Sequence, residues 1–168
     1  MRILLDESYG FRTCSFFEQM FFVHESALDD FKYISSCYWP GPLTIIIPIS
    51  EKRKIFSSTS NYTLGLRIPN SKMAKLFLKE SGPLLTSSAN LSGLPTATSA
   101  KEISINLPNV NILGPIPWEK CSGNASTIIS WVNHGKWEII REGEVKIPGI
   151  ESVSYTHLRA HETKANRV

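Results

Sequence analysis

Short apolar runs rich in β-branched residues alternate with amphipathic stretches along the chain. Residues 43–49 (LTIIIPI) give the clearest predicted strand, although Pro48 restricts its far end. Further strands are predicted at residues 1–5, 63–68, 83–87, 110–113, 127–132 and 137–141. Because helical patterns separate these strands, the chain is predicted to be an α/β fold rather than all-α.

Amphipathic stretches predict the helices of this fold. The first helix spans residues 26–37 with an acidic first turn, and the WPGP segment at 39–42 ends it. The second runs from its cap Asn70 to Leu78, and its inward side chains are predicted to be Met73, Leu76 and Phe77. A short third helix starts at Ser99.

Composition and charge restrict the class of protein only weakly. Hydrophobic residues make up 42% and charged residues 20% of the 168 positions, which is typical of a globular domain. The net charge of +3 permits contact with a nucleotide or RNA without arguing for either. No run approaches the roughly 18 apolar residues of a membrane span, so we expect no membrane partner.

The cysteines and histidines do not form a pattern typical of a disulfide framework or a metal centre. Cys14, Cys37 and Cys121 are odd in number and lack CxxC spacing, which favours reduced thiols and a cytoplasmic location. His157 and His161 have the spacing of a helical metal pair, but no carboxylate accompanies them as in HExxH. We therefore expect no metal bound by the protein's own side chains.

Several polar side chains stand at the ends of apolar strands. Residues 84–95 (LLTSSANLSGLP) run into small and hydroxyl residues, which let a phosphate or carboxylate approach the backbone. A capped turn between strand and helix is the alternative. Arg67 and Arg141 each end a strand, and each needs an anionic partner or reaches solvent. Ser126 opens the strand at 127–132, where a simple cap is again the alternative.

In their order and spacing these segments resemble the YrdC/Sua5 family. The matching segments are YWPGPLT at 38–44, GLRIP at 65–69, TSSANLSG at 86–93, Ser126-Thr127 and REG at 141–143. The resemblance covers residues 26–146. It implies an α/β fold with a twisted mixed sheet and flanking helices, YrdC/RibB-like, around a concave open cleft.

The resemblance implies an enzyme, a nucleotidyltransferase of the L-threonylcarbamoyladenylate synthase type. Such enzymes combine L-threonine, bicarbonate and ATP into threonylcarbamoyl-AMP and pyrophosphate, with Mg²⁺ expected on the triphosphate. Downstream threonylcarbamoyl-transferase proteins then modify adenosine 37 of tRNA, and tRNA itself is a further expected partner. The alternative is a non-catalytic nucleotide- or RNA-binding remnant of the same fold.

The family's site residues can be carried over by motif. The resemblance assigns substrate binding to Arg67, Ser88, Asn90 and Ser126, and nucleotide binding to Ser88, Thr98 and Arg141. It assigns no catalytic nucleophile, because arginines and hydroxyls can hold the reacting anions together without one. Since these residues stand at strand ends, we expect them to converge on one concave face, with Thr98 nearby.

The segments upstream of WPGPLT depart from the family pattern. The family carries a PTxxxYGL segment and a KxRxxxKPL basic loop there, and neither is found. We therefore expect residues 1–150 to form a YrdC-like domain lacking its N-terminal strands and basic loop. Residues 151–168 are expected to be an unstructured tail and resemble translated sequencing-adaptor sequence. A YrdC-like domain of a hydrogenase-maturation carbamoyltransferase is disfavoured, because acylphosphatase and zinc-finger segments are not found.

Overall fold

The computed structural model describes residues 3–4, 22–50, 62–86, 89, 97–112 and 122–150. Its strands are β1 (Ile3–Leu4), β2 (Leu43–Pro48), β3 (Thr63–Leu66), β4 (Leu85–Thr86), β5 (Thr127–Asn133) and β6 (Lys136–Arg141). Its helices are α1 (Leu28–Tyr38), α2 (Lys72–Ser81) and α3 (Ala100–Asn106), and a 3₁₀ turn at Glu25–Ala27 precedes α1. Within these ranges, no helix has both the length and the apolar character needed to cross a bilayer.

A four-stranded mixed sheet has the order β3–β2–β5–β6. β2 and β5 pair in parallel, with Leu43 opposite Thr127, and each has an antiparallel neighbour on its other side. β1 and β4 pair separately as a two-stranded antiparallel sheet. The predicted α/β class, with a mixed sheet and flanking helices, is confirmed. This topology puts the starts of β2 and β5 at the same edge as the ends of β3 and β6.

The two faces of the mixed sheet have different surroundings. Leu43, Ile45 and Ile47 of β2 are fully buried in a hydrophobic core that includes Phe31 of α1. Because side chains alternate along a strand, Thr44 points to the opposite face, where it is also fully buried. A buried hydroxyl needs a hydrogen-bond partner, so this second face must supply polar groups near Thr44.

The α2 helix buries a different face from the one its sequence predicts. Ser71 caps the helix through its side chain, in place of Asn70. Leu78 is buried, whereas Leu76 and Phe77 are 50% and 43% exposed. A helix turns about 100° per residue. When Leu78 contacts the core, Phe77 points about 100° and Leu76 about 200° away from that direction. The predicted inward orientation of Leu76 and Phe77 is therefore wrong.

The strand predicted at residues 110–113 is wrong in its described part. Residues 108–109 form a turn, and no strand follows up to residue 112. Pro108 and Asn109 favour this turn, which leaves Val110 53% exposed. The apolar residues here are thus a surface segment after α3.

Asp30 of α1 is hydrogen-bonded to the hairpin formed by β5 and β6. One carboxylate oxygen accepts hydrogen bonds from Trp131 Nε1 and from the Gly135 backbone N–H, both at 2.8 Å. His134 Nδ1 lies 3.4 Å from the other oxygen. Burial raises the pKa of Asp30, but the two hydrogen bonds and the His134 charge outweigh it, so the pKa lies below its ordinary value.

Replacing Asp30 by alanine should destabilise the fold more than the same change at its neighbour Asp29. Asp30→Ala removes two bonds to a charged acceptor and should lower the free energy of unfolding by about 2–3 kcal/mol. Asp29 is 90% exposed and lies 3.6 Å from Lys32 Nζ. Asp29→Ala should therefore cost less than about 1 kcal/mol. Urea unfolding followed by circular dichroism measures both variants.

The effect of Asp30 on stability should also depend on pH. Because folding lowers its pKa, its contribution is complete above the ordinary value of 3.8 and is lost as pH falls through the lower folded-state value. The difference in unfolding free energy between wild type and Asp30→Ala should thus shrink below about pH 4. A difference that stays constant down to about pH 2 would contradict the carboxylate's role.

Candidate anion-binding site

The WPGP segment forms a tight turn at the start of β2. Trp39 Nε1 donates to the Leu43 carbonyl at 2.7 Å, which fixes the ring across the turn. Gly41 donates its N–H to the Ile68 carbonyl at 2.9 Å and so ties the turn to the end of β3. A Cβ at Gly41 would lie 2.3 Å from the Tyr38 carbonyl oxygen, so the close approach requires glycine.

Arg67 follows β3 and is held by the WPGP segment. Its Nε donates to the Gly41 carbonyl at 3.1 Å. Neither terminal nitrogen has a hydrogen bond or ion pair to a described residue. Burial lowers the pKa of Arg67, Glu144 opposes this shift, and the nearby charge of Arg141 lowers the pKa further. A guanidinium remains charged in spite of such shifts, so its free nitrogens favour an anionic ligand.

Arg141 is the last residue of β6 and donates hydrogen bonds to Ser126, which immediately precedes β5. Its Nε and Nη2 donate to the Ser126 carbonyl at 3.1 and 2.7 Å, and Nη2 also donates to the Ser126 hydroxyl at 3.1 Å. These bonds fix the guanidinium plane, while Nη1 has no partner in the part of the chain that the structure describes. Arg67 binds the Gly41 carbonyl, and the adjacent Pro42 carbonyl accepts from Thr127, which follows the Ser126 that Arg141 binds. The two cations therefore share one region of the sheet edge.

Ser126 is 5% exposed, and its hydroxyl lies where β2 and β5 meet. It is 3.1 Å from the fully buried hydroxyl of Thr44. The backbone closes the same junction, since the Thr127 N–H donates to the Pro42 carbonyl at 2.9 Å. Two buried hydroxyls and Arg141 therefore form one hydrogen-bonded group.

The REG segment after β6 packs against the same strand start. A Cβ at Gly143 would lie 2.4 Å from the Ala125 carbonyl oxygen and 2.5 Å from both Ser126 C and Thr127 N. Glu144 then donates its N–H to the Ala125 carbonyl at 3.0 Å. Only a residue without a side chain permits this contact, so Gly143 is required for the backbone to hold Ser126 in place.

Three predicted site residues, Arg67, Ser126 and Arg141, lie together at one edge of the sheet. The edge combines the ends of β3 and β6 with the start of β5, because the sheet is mixed rather than parallel. Sequence analysis missed Thr44 as a member of this group. The available signal was the single hydroxyl residue of the strongest predicted strand, which lies between two aliphatic residues.

The remaining predicted residues belong to the segment before α3 or lie outside the described residues. Thr98 is exposed, and its N–H and hydroxyl donate to the Glu102 carboxylate at 2.7 and 3.2 Å. It therefore takes part in capping α3. The Ala97 N–H donates to the Ala89 carbonyl at 3.0 Å, which ties this segment to the TSSANLSG motif. The two predicted site residues of this motif, Ser88 and Asn90, lie outside the described residues.

These contacts define an α/β domain with a candidate anion-binding sheet edge, where two guanidinium groups and a buried hydroxyl meet. A family model for Sua5, YciO and YrdC proteins, described as "Telomere recombination", matches residues 13–143. This match spans more than half of the chain, and the chain belongs to the Sua5/YciO/YrdC family. The resemblance found in the sequence motifs is thus confirmed.

The matches to relatives with curated names cover only part of each relative's length. The threonylcarbamoyl-AMP synthase of Pyrococcus abyssi (strain GE5 / Orsay) is 32% identical over 89 residues, which are 52% of this chain and 26% of the relative. The threonylcarbamoyl-AMP synthase of Bacillus subtilis (strain 168) is 35% identical over 78 residues, 45% of this chain and 22% of the relative. The chain thus spans about a quarter of these relatives.

A solved structure gives the same fold. The crystal structure of P. abyssi Sua5 complexed with L-threonine superposes with a TM-score of 0.64 at 28% sequence identity. The superposition covers 78% of this chain and 38% of the Sua5 chain. The fold similarity therefore extends well beyond the motif segments.

Arg67 should contribute to anion binding without stabilising the fold. Arg67→Met keeps an aliphatic chain but removes the free guanidinium nitrogens, so the affinity for inorganic pyrophosphate should fall by about 10-fold or more. The free energy of unfolding should change by less than about 1 kcal/mol, because relief of the desolvation of the buried guanidinium offsets the lost bond to the Gly41 carbonyl and the lost attraction to Glu144. Isothermal titration calorimetry and urea unfolding measure these two quantities.

Lys136→Met is the matched control for this experiment. Lys136 is exposed and begins β6, at the opposite end of the strand from Arg141. Its replacement removes one positive charge without touching the candidate site, so pyrophosphate affinity should stay within about twofold of wild type. Equal losses in the two variants would show that net charge rather than the sheet edge binds the anion.

Proposed function

We propose that this chain carries the site of an L-threonylcarbamoyladenylate synthase, which forms threonylcarbamoyl-AMP and pyrophosphate from L-threonine, bicarbonate and ATP. The observation that carries the proposal is that hydrogen bonds hold Arg67 and Arg141 at the same sheet edge, where no described carboxylate forms an ion pair with either. The names of the curated relatives and the L-threonine complex of P. abyssi Sua5 support this choice of substrates.

The proposed reaction requires several anionic groups to be held close together. Arg67 would offer its terminal nitrogens to the L-threonine carboxylate, and Arg141 would offer Nη1 to the nucleotide. Ser126 would donate its hydroxyl to the substrate lying between them. The L-threonine amine and bicarbonate would first form a carbamate with loss of water. Holding an oxygen of that carbamate against the α-phosphorus of ATP lowers the entropic cost of the attack that displaces pyrophosphate. The guanidinium groups stabilise the negative charge that develops as pyrophosphate leaves.

Residues of the TSSANLSG motif and Thr98 are proposed to complete the pocket. Ser88 and Asn90 would line the positions of threonine and adenylate, next to Ala89, whose carbonyl accepts from the Ala97 N–H. Thr98 would bind the nucleotide. Because its hydroxyl donates to Glu102 in this structure, nucleotide binding by Thr98 requires that bond to be exchanged.

Mg²⁺ is proposed to enter as part of the ATP substrate. Mg²⁺ commonly keeps several waters and binds mainly through substrate phosphates. Across the described residues, no three His, Cys, Asp or Glu side chains cluster to hold a metal ion. Glu142, beside Arg141, is paired with Lys146 at 3.1 Å. The chain's proposed part is therefore to hold the anions that carry the ion.

The proposed product is a group donor for tRNA modification. Threonylcarbamoyl-AMP is a mixed anhydride, so downstream transferase proteins would pass its threonylcarbamoyl group to adenosine 37 of tRNA, with tRNA as a further partner. We propose a cytoplasmic location for this activity. The proposed domain lies within residues 1–150, and residues 151–168 are outside the described residues.

L-Threonine should stabilise the folded chain more than L-valine does. The two amino acids have similar shape, but valine would leave the protein partner of the threonine hydroxyl unpaired. Thermal unfolding at matched ligand concentrations should therefore give a higher Tm with threonine. Equal Tm values with the two ligands, on protein that circular dichroism shows to be folded, would count against threonine as substrate.

Pyrophosphate formation from ATP, L-threonine and bicarbonate tests the reaction itself. Arg141→Ala should lower the rate by about 100-fold or more, because it removes a charge from the nucleotide and the clamp on Ser126. Lys136→Ala should leave the rate within about twofold. Protein that binds L-threonine and ATP but forms no pyrophosphate would instead be a binding module of the same fold.

A further inference from the structure

Thr44 has a single hydrogen-bonding partner for its side chain. Its hydroxyl is fully buried, and the Ser126 hydroxyl at 3.1 Å is the partner that the structure records for it in the described part of the chain. A buried hydroxyl proton left without an acceptor costs free energy. Either hydroxyl could donate by distance alone, but only donation by Thr44 gives its buried proton an acceptor, so we assign Thr44 as the donor in this bond.

The Ser126 hydroxyl then has both acceptor positions filled. One lone pair accepts from Arg141 Nη2 at 3.1 Å and the other accepts from Thr44. A serine hydroxyl carries two lone pairs and one proton. With both lone pairs used, the group can interact with a ligand only by donating that proton. Ser126 cannot accept from a ligand N–H without breaking one of these bonds.

We propose that Thr44 is a positioning residue that sets Ser126 as a hydrogen-bond donor to an anionic oxygen of the bound substrate. This inference rests on the proposed function, in which Ser126 contacts substrate beside two arginines. The acceptor it fits is a carboxylate, carbamate or phosphate oxygen, since each offers lone pairs where Ser126 offers a proton. Thr44 itself touches no substrate and acts through Ser126.

The fold places Thr44 in this role by strand pairing. Parallel pairing sets Leu43 opposite Thr127, which brings the residues on either side of that pair, Thr44 and Ser126, within reach of one another. Thr44 alternates with the fully buried Leu43 and Ile45, so its backbone is fixed by core packing on the other face. A donor held this firmly keeps Ser126 oriented before substrate arrives.

A double-mutant cycle tests the proposal. The variants are Thr44→Val, which has similar volume but no hydroxyl, Thr44→Ser, which keeps the hydroxyl, Ser126→Ala, and Thr44→Val combined with Ser126→Ala. By calorimetry with L-threonine, Thr44→Val should weaken binding by about 5- to 10-fold. Thr44→Ser should stay within about twofold of wild type. In the Ser126→Ala background, Thr44→Val should cause no further loss.

Several outcomes would overturn the role of Thr44. Wild-type affinity in Thr44→Val is one, and an equal loss on both backgrounds is another, because a packing defect does not need the Ser126 hydroxyl. If Thr44→Val does not fold, Thr44→Ala takes its place in the cycle. Loss of binding in Thr44→Ser as great as in Thr44→Val would also contradict it, since the hydroxyl is retained.

A second probe separates this inference from the proposed function. Wild-type protein that binds inorganic pyrophosphate but not L-threonine would overturn the proposed substrate, and the same cycle would then be measured with pyrophosphate. Non-additive losses there would support Thr44 as the residue that orients Ser126, and additive losses would overturn it. Wild-type protein that binds neither probe would overturn both.

Discussion

The parallel pairing of β2 with β5 is the constraint on which the sheet edge depends. It brings into contact hydroxyls that are 82 positions apart in the sequence, and the bond from the Thr127 N–H to the Pro42 carbonyl extends the pairing past the strands. Arg67 is attached to one side of this junction through the WPGP segment, and Arg141 to the other through the start of β5. A one-residue slip between the strands would turn Thr44 to the opposite face and separate the group.

The two arginines are held by neutral carbonyl oxygens rather than by carboxylates. A carbonyl orients a guanidinium without cancelling its charge, and Glu144 attracts Arg67 without forming an ion pair with it. This arrangement costs stability mainly because burial removes water from the Arg67 guanidinium, while the attraction of Glu144 and the repulsion of Arg141 act in opposite directions. Fully buried aliphatic side chains on the other face of the same strands offset the cost. Binding on one face of the sheet thus depends on packing against the other.

Strand patterning predicted that Arg67, Ser126 and Arg141 stand at strand ends, because a polar residue next to an apolar run marks where a strand stops. That these ends meet at one edge follows from the mixed pairing of the sheet, which patterning alone does not specify. Patterning also did not predict which face α2 buries, since that depends on neighbours distant in sequence. The use of Thr98 in a helix cap was missed for a local reason, as Glu102 competes for its hydroxyl. Thr44 stands inside an apolar run, and its polar role appears only once β5 lies beside β2.

Two motif glycines, Gly41 and Gly143, allow close contact between chain segments. Gly41 allows the turn that carries the acceptor for Arg67, and Gly143 lets the backbone press on the start of β5. The REG segment therefore contacts the start of β5 at two points, through the Arg141 side chain and through the Gly143 backbone. Matches at these two glycines accordingly identify the fold. Arg67 is held by a single bond to the Gly41 carbonyl, whereas Arg141 also holds Ser126 at the start of β5. Substitution at Arg67, rather than at Arg141 or the glycines, is therefore expected to separate anion binding from folding.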